Sequence, residues 1–196
     1  MSTQQTRVTP VTRYDAGAIV LHWAIALGIL VLIGMGLIMD HAHLSPMKVF
    51  QLYQLHKSIG ITVMLLVVIR IGWRLTHRAP QLPADMPPAE RSAAHISHGL
   101  LYLFQILLPL SGWAMVSASV FAIPTVLYGH IPWPDLPILS TLPNKAPVEA
   151  ALKVVHHWAS WLLTGVITLH ILAALRHQFI MHDHILGQML PSSKRK

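Results

Sequence analysis

Two histidines fourteen positions apart, His156 and His170, stand in a run of apolar residues with no charge between Lys153 and Arg176. At about 100° per residue, fourteen residues sweep about 1400°, within about 40° of four full helical turns. On one helix both rings face the same way, about 21 Å apart along the axis at 1.5 Å per residue. That spacing sets one ring near each side of a hydrocarbon core about 30 Å thick. His22, His56 and His98 also lie in apolar runs. Ionisable groups at membrane depth are costly and mark functional sites.

Imidazoles on facing helices at one depth can ligate a haem iron from both sides, and a flat apolar macrocycle suits a bundle core. None of the 7 acidic residues lies deep in an apolar run. A histidine-lined transporter for a transition metal or haem is the reading from another class, but a metal-ion path calls for Asp or Glu beside the histidines. A proton pump calls for a buried carboxylate relay. The single-residue alternative is a hydrogen bond between helices, which does not account for five histidines in layers.

The elements that must position these rings are membrane helices. The chain is 54% hydrophobic and 11% charged, with mean hydropathy +0.54, against about 25% charged residues in soluble domains. Its 196 residues form one domain, 1–196, with spans expected at about 16–39, 53–75, 93–119 and 152–179. The fold class is an all-α membrane protein, a four-helix up-down-up-down bundle. The proline-rich stretch 120–151 cannot hold a continuous helix, and Pro109 is a candidate kink. With no cysteine, disulfides, thiolate metal sites, iron–sulfur clusters and covalent c-type haem are excluded. The net charge of +7 flanks apolar spans and forms no basic stripe, so nucleic acid is not a partner.

Arg7, Arg13, Arg74, Arg78, Arg91, Arg176, Lys194, Arg195 and Lys196 fall on one side of the spans, and Lys48, Lys57, Lys145 and Lys153 on the other. The positive-inside rule then puts both termini in the cytoplasm. By depth, His56 and His156 form an outer layer, and His22, His98 and His170 an inner one. Depth alone does not choose the pair within the inner layer. His157 is rotated about 100° from His156 and has no assigned role. His41, His43, His77, His130, His182 and His184 are expected to be solvated. Trp23, Trp73, Trp133 and Trp158 are expected at the interfaces.

The chain resembles the bacterial cytochrome b561 family, four-helix di-haem cytochromes b of the inner membrane related to the cytochrome b subunits of nickel–iron hydrogenases and formate dehydrogenases. The resemblance is carried by Ile19 to Trp23 (IVLHW), His56 to Gly60 (HKSIG), Arg70 to Arg74 (RIGWR), His98 to Trp113, Leu169 to His177 (LHILAALRH) and Asp183 to Pro191 (DHILGQMLP). It implies two haems b, with His22 and His170 as axial ligands of the inner iron and His56 and His156 of the outer. It implies a quinone site near His98 and His177. Arg70, four residues before Arg74 on one face, is a candidate partner for a haem propionate, while Arg74 is expected to snorkel. The activity implied is superoxide:ubiquinone oxidoreduction, with superoxide as donor and ubiquinone as acceptor. The alternative within the family is a cytochrome b subunit taking electrons from a periplasmic dehydrogenase or hydrogenase, with the long outer loop as its docking surface for that redox partner.

Overall fold

The computed structural model describes residues 13–80, 86–182 and 185–190. In chain order its elements are α1 (Ala16–His41), α2 (Pro46–Thr76), α3 (Pro88–Ser117), β1 (Thr125–Leu127), β2 (Ile131–Trp133), α4 (Pro137–Ser140) and α5 (Ala146–Arg176). A π-helical turn (His177–Met181) and a 3₁₀ turn (Leu186–Met189) follow. Four helices, α1, α2, α3 and α5 with its π continuation, are long and apolar enough to cross a membrane. The end holding the α1–α2 turn and the loop between α3 and α5 is termed upper here, and the opposite end lower.

Each helix starts where local chemistry permits. Asp15 caps α1, its Oδ1 accepting from the Ala18 N–H at 3.0 Å. The other three long helices carry proline in the first two positions, at Pro46, Pro88 and Pro147. There the missing N–H is one that has no helical partner anyway, and φ is already helical. This corrects the expected starts at about 53, 93 and 152. These prolines open helices, so the helices begin about a turn or two before the apolar runs. At 26 to 31 residues they extend about 39 to 47 Å, more than the hydrocarbon core needs. Pro109 lies within α3, which continues through it.

Two further boundaries differ from expectation. The α-helical part of α5 ends at Arg176, not near 179. The chain then widens into the π turn and leaves it at His182, whose φ of 54° is left-handed. The loop 118–145 is not wholly irregular: β1 and β2 pair antiparallel, with Leu127 opposite Ile131 and Thr125 opposite Trp133.

The core is thin. Ile25, Ile29, Val63, Val67, Leu108 and Leu163, drawn from the four long helices, form its buried centre. Most other apolar side chains face outward, among them Val20, Val68 and Leu169 at 60–67% exposure. Such a surface on a soluble chain marks an interaction site or an aggregation hazard; on four spanning helices it is the lipid belt.

Glycine sets the closest approach of α1 to α2. A Cβ at Gly28 would lie 2.7 Å from Val63 Cγ2, and one at Gly17 would lie 2.4 Å from the Trp73 ring. Trp73 also donates from Nε1 to Asp15 Oδ1 at 2.9 Å and stacks on His77, centroids 4.2 Å apart. His77, expected to be merely solvated, thus belongs to a latch at the lower end. Burial at the helix end opposes ionisation of Asp15. The Ala18 N–H, the Trp73 indole N–H and nearby His77 outweigh it and hold the carboxyl below the usual carboxylate range. The latch is therefore formed at neutral pH, and its contribution is lost only as pH falls through that depressed value. Gly17→Ala forces the indole away and should lower stability by about 1–3 kcal/mol, read as a reduced thermal midpoint in detergent; an unchanged midpoint would show that α1 and α2 can part there without cost.

Candidate functional site

The upper pair comes from α2 and α5. The rings of His56 and His156 lie 6.5 Å apart between centroids, at 73° to each other. Ser111 on α3 fixes one of them. Its hydroxyl donates to the Leu108 carbonyl at 2.8 Å. That leaves Oγ to accept from the Nδ1–H of His156 at 2.9 Å. With its proton on Nδ1, the His156 ring presents an unprotonated Nε2, the tautomer a metal requires. Gly112 gives the ring room: a Cβ there would sit 3.2 Å from its Cε1. Both histidines line a cavity of about 350 Å³ that also reaches Lys57, Lys153 and His157. This places His157, which the sequence left without a role, at the edge of the upper cavity.

The lower end gathers three rings. His22 of α1 and His170 of α5 have centroids 6.5 Å apart at 74°. His98 of α3 lies 5.6 Å from His170 at 65°. The guanidinium of Arg70, on α2, sits over the Tyr102 ring of α3 at 5.5 Å. Arg74 is exposed. His177, half-buried, opens the π turn two helical turns beyond His170. Arg176 ties this end of α5 to α3 through Glu90 at 3.2 Å.

A haem held between two imidazoles can be tested against these positions. A ring nitrogen sits about 2 Å from a bound first-row metal and about 1.2 Å from its own ring centroid, so two imidazoles on opposite sides of one metal would have centroids about 6.4 Å apart. Both 6.5 Å pairs fit, and the 5.6 Å contact of His98 is short. His22 and His56 each keep a buried Nδ1 with no hydrogen-bond partner, so neither ring is held by a hydrogen bond between helices at that atom. Gly36 and Gly60 line the upper cavity, and a Cβ at either would meet nothing within 4 Å. They leave open a cradle that side chains would narrow. Among the described residues no three His, Asp or Glu side chains group as a metal-ion site. A bare ion lacks ligands at a pair of rings, whereas a macrocycle brings its own.

Some functional contacts carried no readable signal. Ser111 follows Pro109 in a helix where a serine is ordinary. Trp23, expected as an interfacial anchor, lies edge-on to His22 at 5.3 Å and donates from Nε1 to the Met189 carbonyl at 2.7 Å. Arg13 donates to the Leu190 carbonyl. The C-terminal 3₁₀ turn is thus strapped across α1 beside the lower rings. His184 lies outside the described residues.

Comparison with known proteins shows similarity over most of the chain. The sequence profile of prokaryotic cytochrome b561 matches residues 13–192. The chain is 30% identical over 181 residues to "Cytochrome b561 homolog 2" of Escherichia coli strain K12, covering 92% of this chain and 93% of that one. It is 28% identical over 142 residues to "Probable superoxide oxidase CybB" of Yersinia pestis, covering 71% and 75%. It is 28% identical over 141 residues to "Cytochrome b561 homolog 1" of Escherichia coli strain K12, covering 71% and 74%.

The Ser111 contact is open to test. Loss of a hydrogen-bond partner behind a metal-binding histidine costs about 10–100-fold in affinity. Ser111→Ala should therefore weaken retention of the upper cofactor by at least about 10-fold, measured by haem transfer to an apoprotein acceptor. Unchanged retention would show that the contact does not orient His156.

Proposed function

The chain belongs to the prokaryotic cytochrome b561 family, and from that premise we propose that it is a di-haem superoxide:ubiquinone oxidoreductase of the bacterial inner membrane. The observation that carries the reading is the pair of 6.5 Å imidazole separations, one at each end of α5. His56 and His156 hold the upper haem b, and His22 and His170 the lower. When bound, haem b supplies a one-electron iron couple at each level.

The upper end is assigned to the periplasm and both termini to the cytoplasm, following the excess of lysine and arginine at the lower end. In the overall reaction two superoxide anions each give up one electron and leave as O2. One ubiquinone takes two electrons and two protons to become ubiquinol. Lys57 and Lys153 at the upper cavity attract a small anion, an effect that salt weakens. Glu149 tempers it by pairing with Lys153 at 2.7 Å. Arg70 is the candidate partner for a lower haem propionate. His98 and His177 are assigned to the quinone, His98 through its place beside His170.

The superoxide assignment rests on the family resemblance and on one relative, the probable superoxide oxidase of Yersinia pestis. A second reading takes a periplasmic dehydrogenase as donor and is favoured by the exposed Phe121 and Ile138 in the upper loop. Co-purification of a stoichiometric redox partner would select it.

A superoxide pulse in the stopped-flow should reduce the haems, and added ubiquinone should return them to the oxidised state. Haems that stay oxidised would overturn the donor assignment. Single variants test the residue roles by pyridine haemochrome. His56→Ala or His156→Ala should remove the upper haem and spare the lower, and His22→Ala or His170→Ala the reverse. Loss of a haem in His98→Ala, but not in His170→Ala, would overturn the lower pairing. His177→Ala should keep both haems and slow quinone reduction.

A further inference from the structure

The β1–β2 hairpin belongs to a loop that sequence alone assigns to the aqueous side, yet its contacts lie at membrane depth. Gly28 meets Val63 and Gly17 meets Trp73, which fixes the antiparallel register of α1 on α2. Gly28 is near the middle of the uncharged stretch 16–39, so the Val63 level is near the middle of the span. Along α2, Ser58 is then about 7.5 Å above the middle and Gln54 about 13.5 Å above it, at 1.5 Å per residue. Half of a hydrocarbon core is about 15 Å. Gln54 marks its upper edge, and Ser58 lies roughly 7 Å inside.

The hairpin is bound at both levels. Gln54 Nε2 donates to the Pro124 carbonyl at 3.0 Å, near the edge. Ser58 donates to the Gln54 carbonyl and so accepts from the Tyr128 N–H at 3.0 Å. Thr62 donates to the Ser58 carbonyl and accepts from the Tyr128 hydroxyl at 2.6 Å. The strand therefore runs down α2 and turns inside the apolar layer. Ser58, Thr62, Leu65 and Ile69 form one stripe of α2, within about 60° of each other. Leu65 and Ile69, 47% and 53% exposed, belong to the lipid-facing belt, while Ser58, under the hairpin, is fully buried. The hairpin thus continues a face that lipid already covers.

Backbone at this depth must have its polar groups satisfied, and the N–H groups of the tip are. The Tyr128 N–H goes to Ser58, the Gly129 N–H to the Val126 carbonyl at 3.4 Å and the His130 N–H to the Leu127 carbonyl at 3.0 Å. Tyr128 and Gly129 both take left-handed φ, 53° and 77°, which closes the turn tightly enough to make these bonds. Beside them, Tyr128 and Ile131 remain 51% and 59% exposed.

We propose that the β1–β2 hairpin is a re-entrant element seated in the upper half of the bilayer, with acyl chains covering Tyr128 and Ile131. His130, exposed at the tip, is short of the edge by about the length of its own side chain and reaches toward the headgroups. The proposal depends on the helices crossing a membrane and not on the identity of the electron donor. It removes the hairpin from the surface open to a protein donor and leaves the cavity mouth near Lys57 and Lys153.

The chain has no cysteine, so single cysteines can be labelled cleanly. Ile131→Cys and His130→Cys would carry a nitroxide in phosphatidylcholine vesicles, and power saturation would compare collision with O2 and with a water-soluble nickel chelate. Val68→Cys on the lipid face of α2 and Asn144→Cys in the upper loop are the references, with haem content reporting the fold. The expected result is that Ile131→Cys follows Val68→Cys, with O2 favoured several-fold over the chelate. His130→Cys should fall between the two references. The proposal is overturned if Ile131→Cys follows Asn144→Cys, which puts the hairpin in water. It is equally overturned if Ile131→Cys is shielded from both agents, which puts protein over it.

Discussion

Imidazoles brought within 6.5 Å of each other at two levels, α5 sharing one pair with α2 and the other with α1, are the constraint on which the proposed arrangement depends. An iron held between them would tolerate only small errors in that separation, because a metal–nitrogen bond is fixed to within about 0.2 Å. α5 carries one member of each pair, so its azimuth is set twice, at levels about 21 Å apart. α1 and α2 must then bring His22 and His56 to the two ends of the same helix. They do so as a unit locked by Gly28 on Val63 and by the Trp73 latch. The apolar core between them is small, which follows from a bundle whose centre is built around rings and a cavity.

The two ends are chemically unlike. The upper pair adjoins an open cavity whose cations are lysines, one of them neutralised by the buried carboxylate of Glu149. Glu149 also accepts from the Val120 N–H at 2.8 Å, so the same group holds the loop after α3 against the start of α5. The lower group adjoins arginine, tyrosine and a third histidine, and is crossed by the C-terminal strap through Trp23 and Arg13. A small mobile donor suits the first environment. A larger ring that must receive protons suits the second, where the exposed imidazole of His98 and the half-buried phenol of Tyr102 are close at hand.

Much of this was legible in the sequence because bilayer constraints are coarse and strong. Uncharged runs bounded by Asp15 and Asp40, or by Lys153 and Arg176, give spans without knowledge of packing. The fourteen-residue spacing gives a shared face from helix geometry alone. Helix starts are less legible, because the first turns at Pro46, Pro88 and Pro147 precede the apolar runs that mark the spans. The hairpin does not register in the sequence because its strands are three residues each and lie in a stretch dominated by prolines on either side. The contacts of Ser111 with His156, Trp23 with Met189 and Trp73 with Asp15 are tertiary. No local pattern distinguishes a serine that supports a ring from one that bonds only to its own helix.

The most direct test of the two-level arrangement is the ratio of haem to polypeptide in the purified protein, taken with the electron paramagnetic resonance spectrum of the oxidised form. The arrangement predicts two haems b per chain, both low-spin, as two imidazole ligands on each iron require. One haem per chain, or a high-spin signal from an iron with an open axial position, would contradict it.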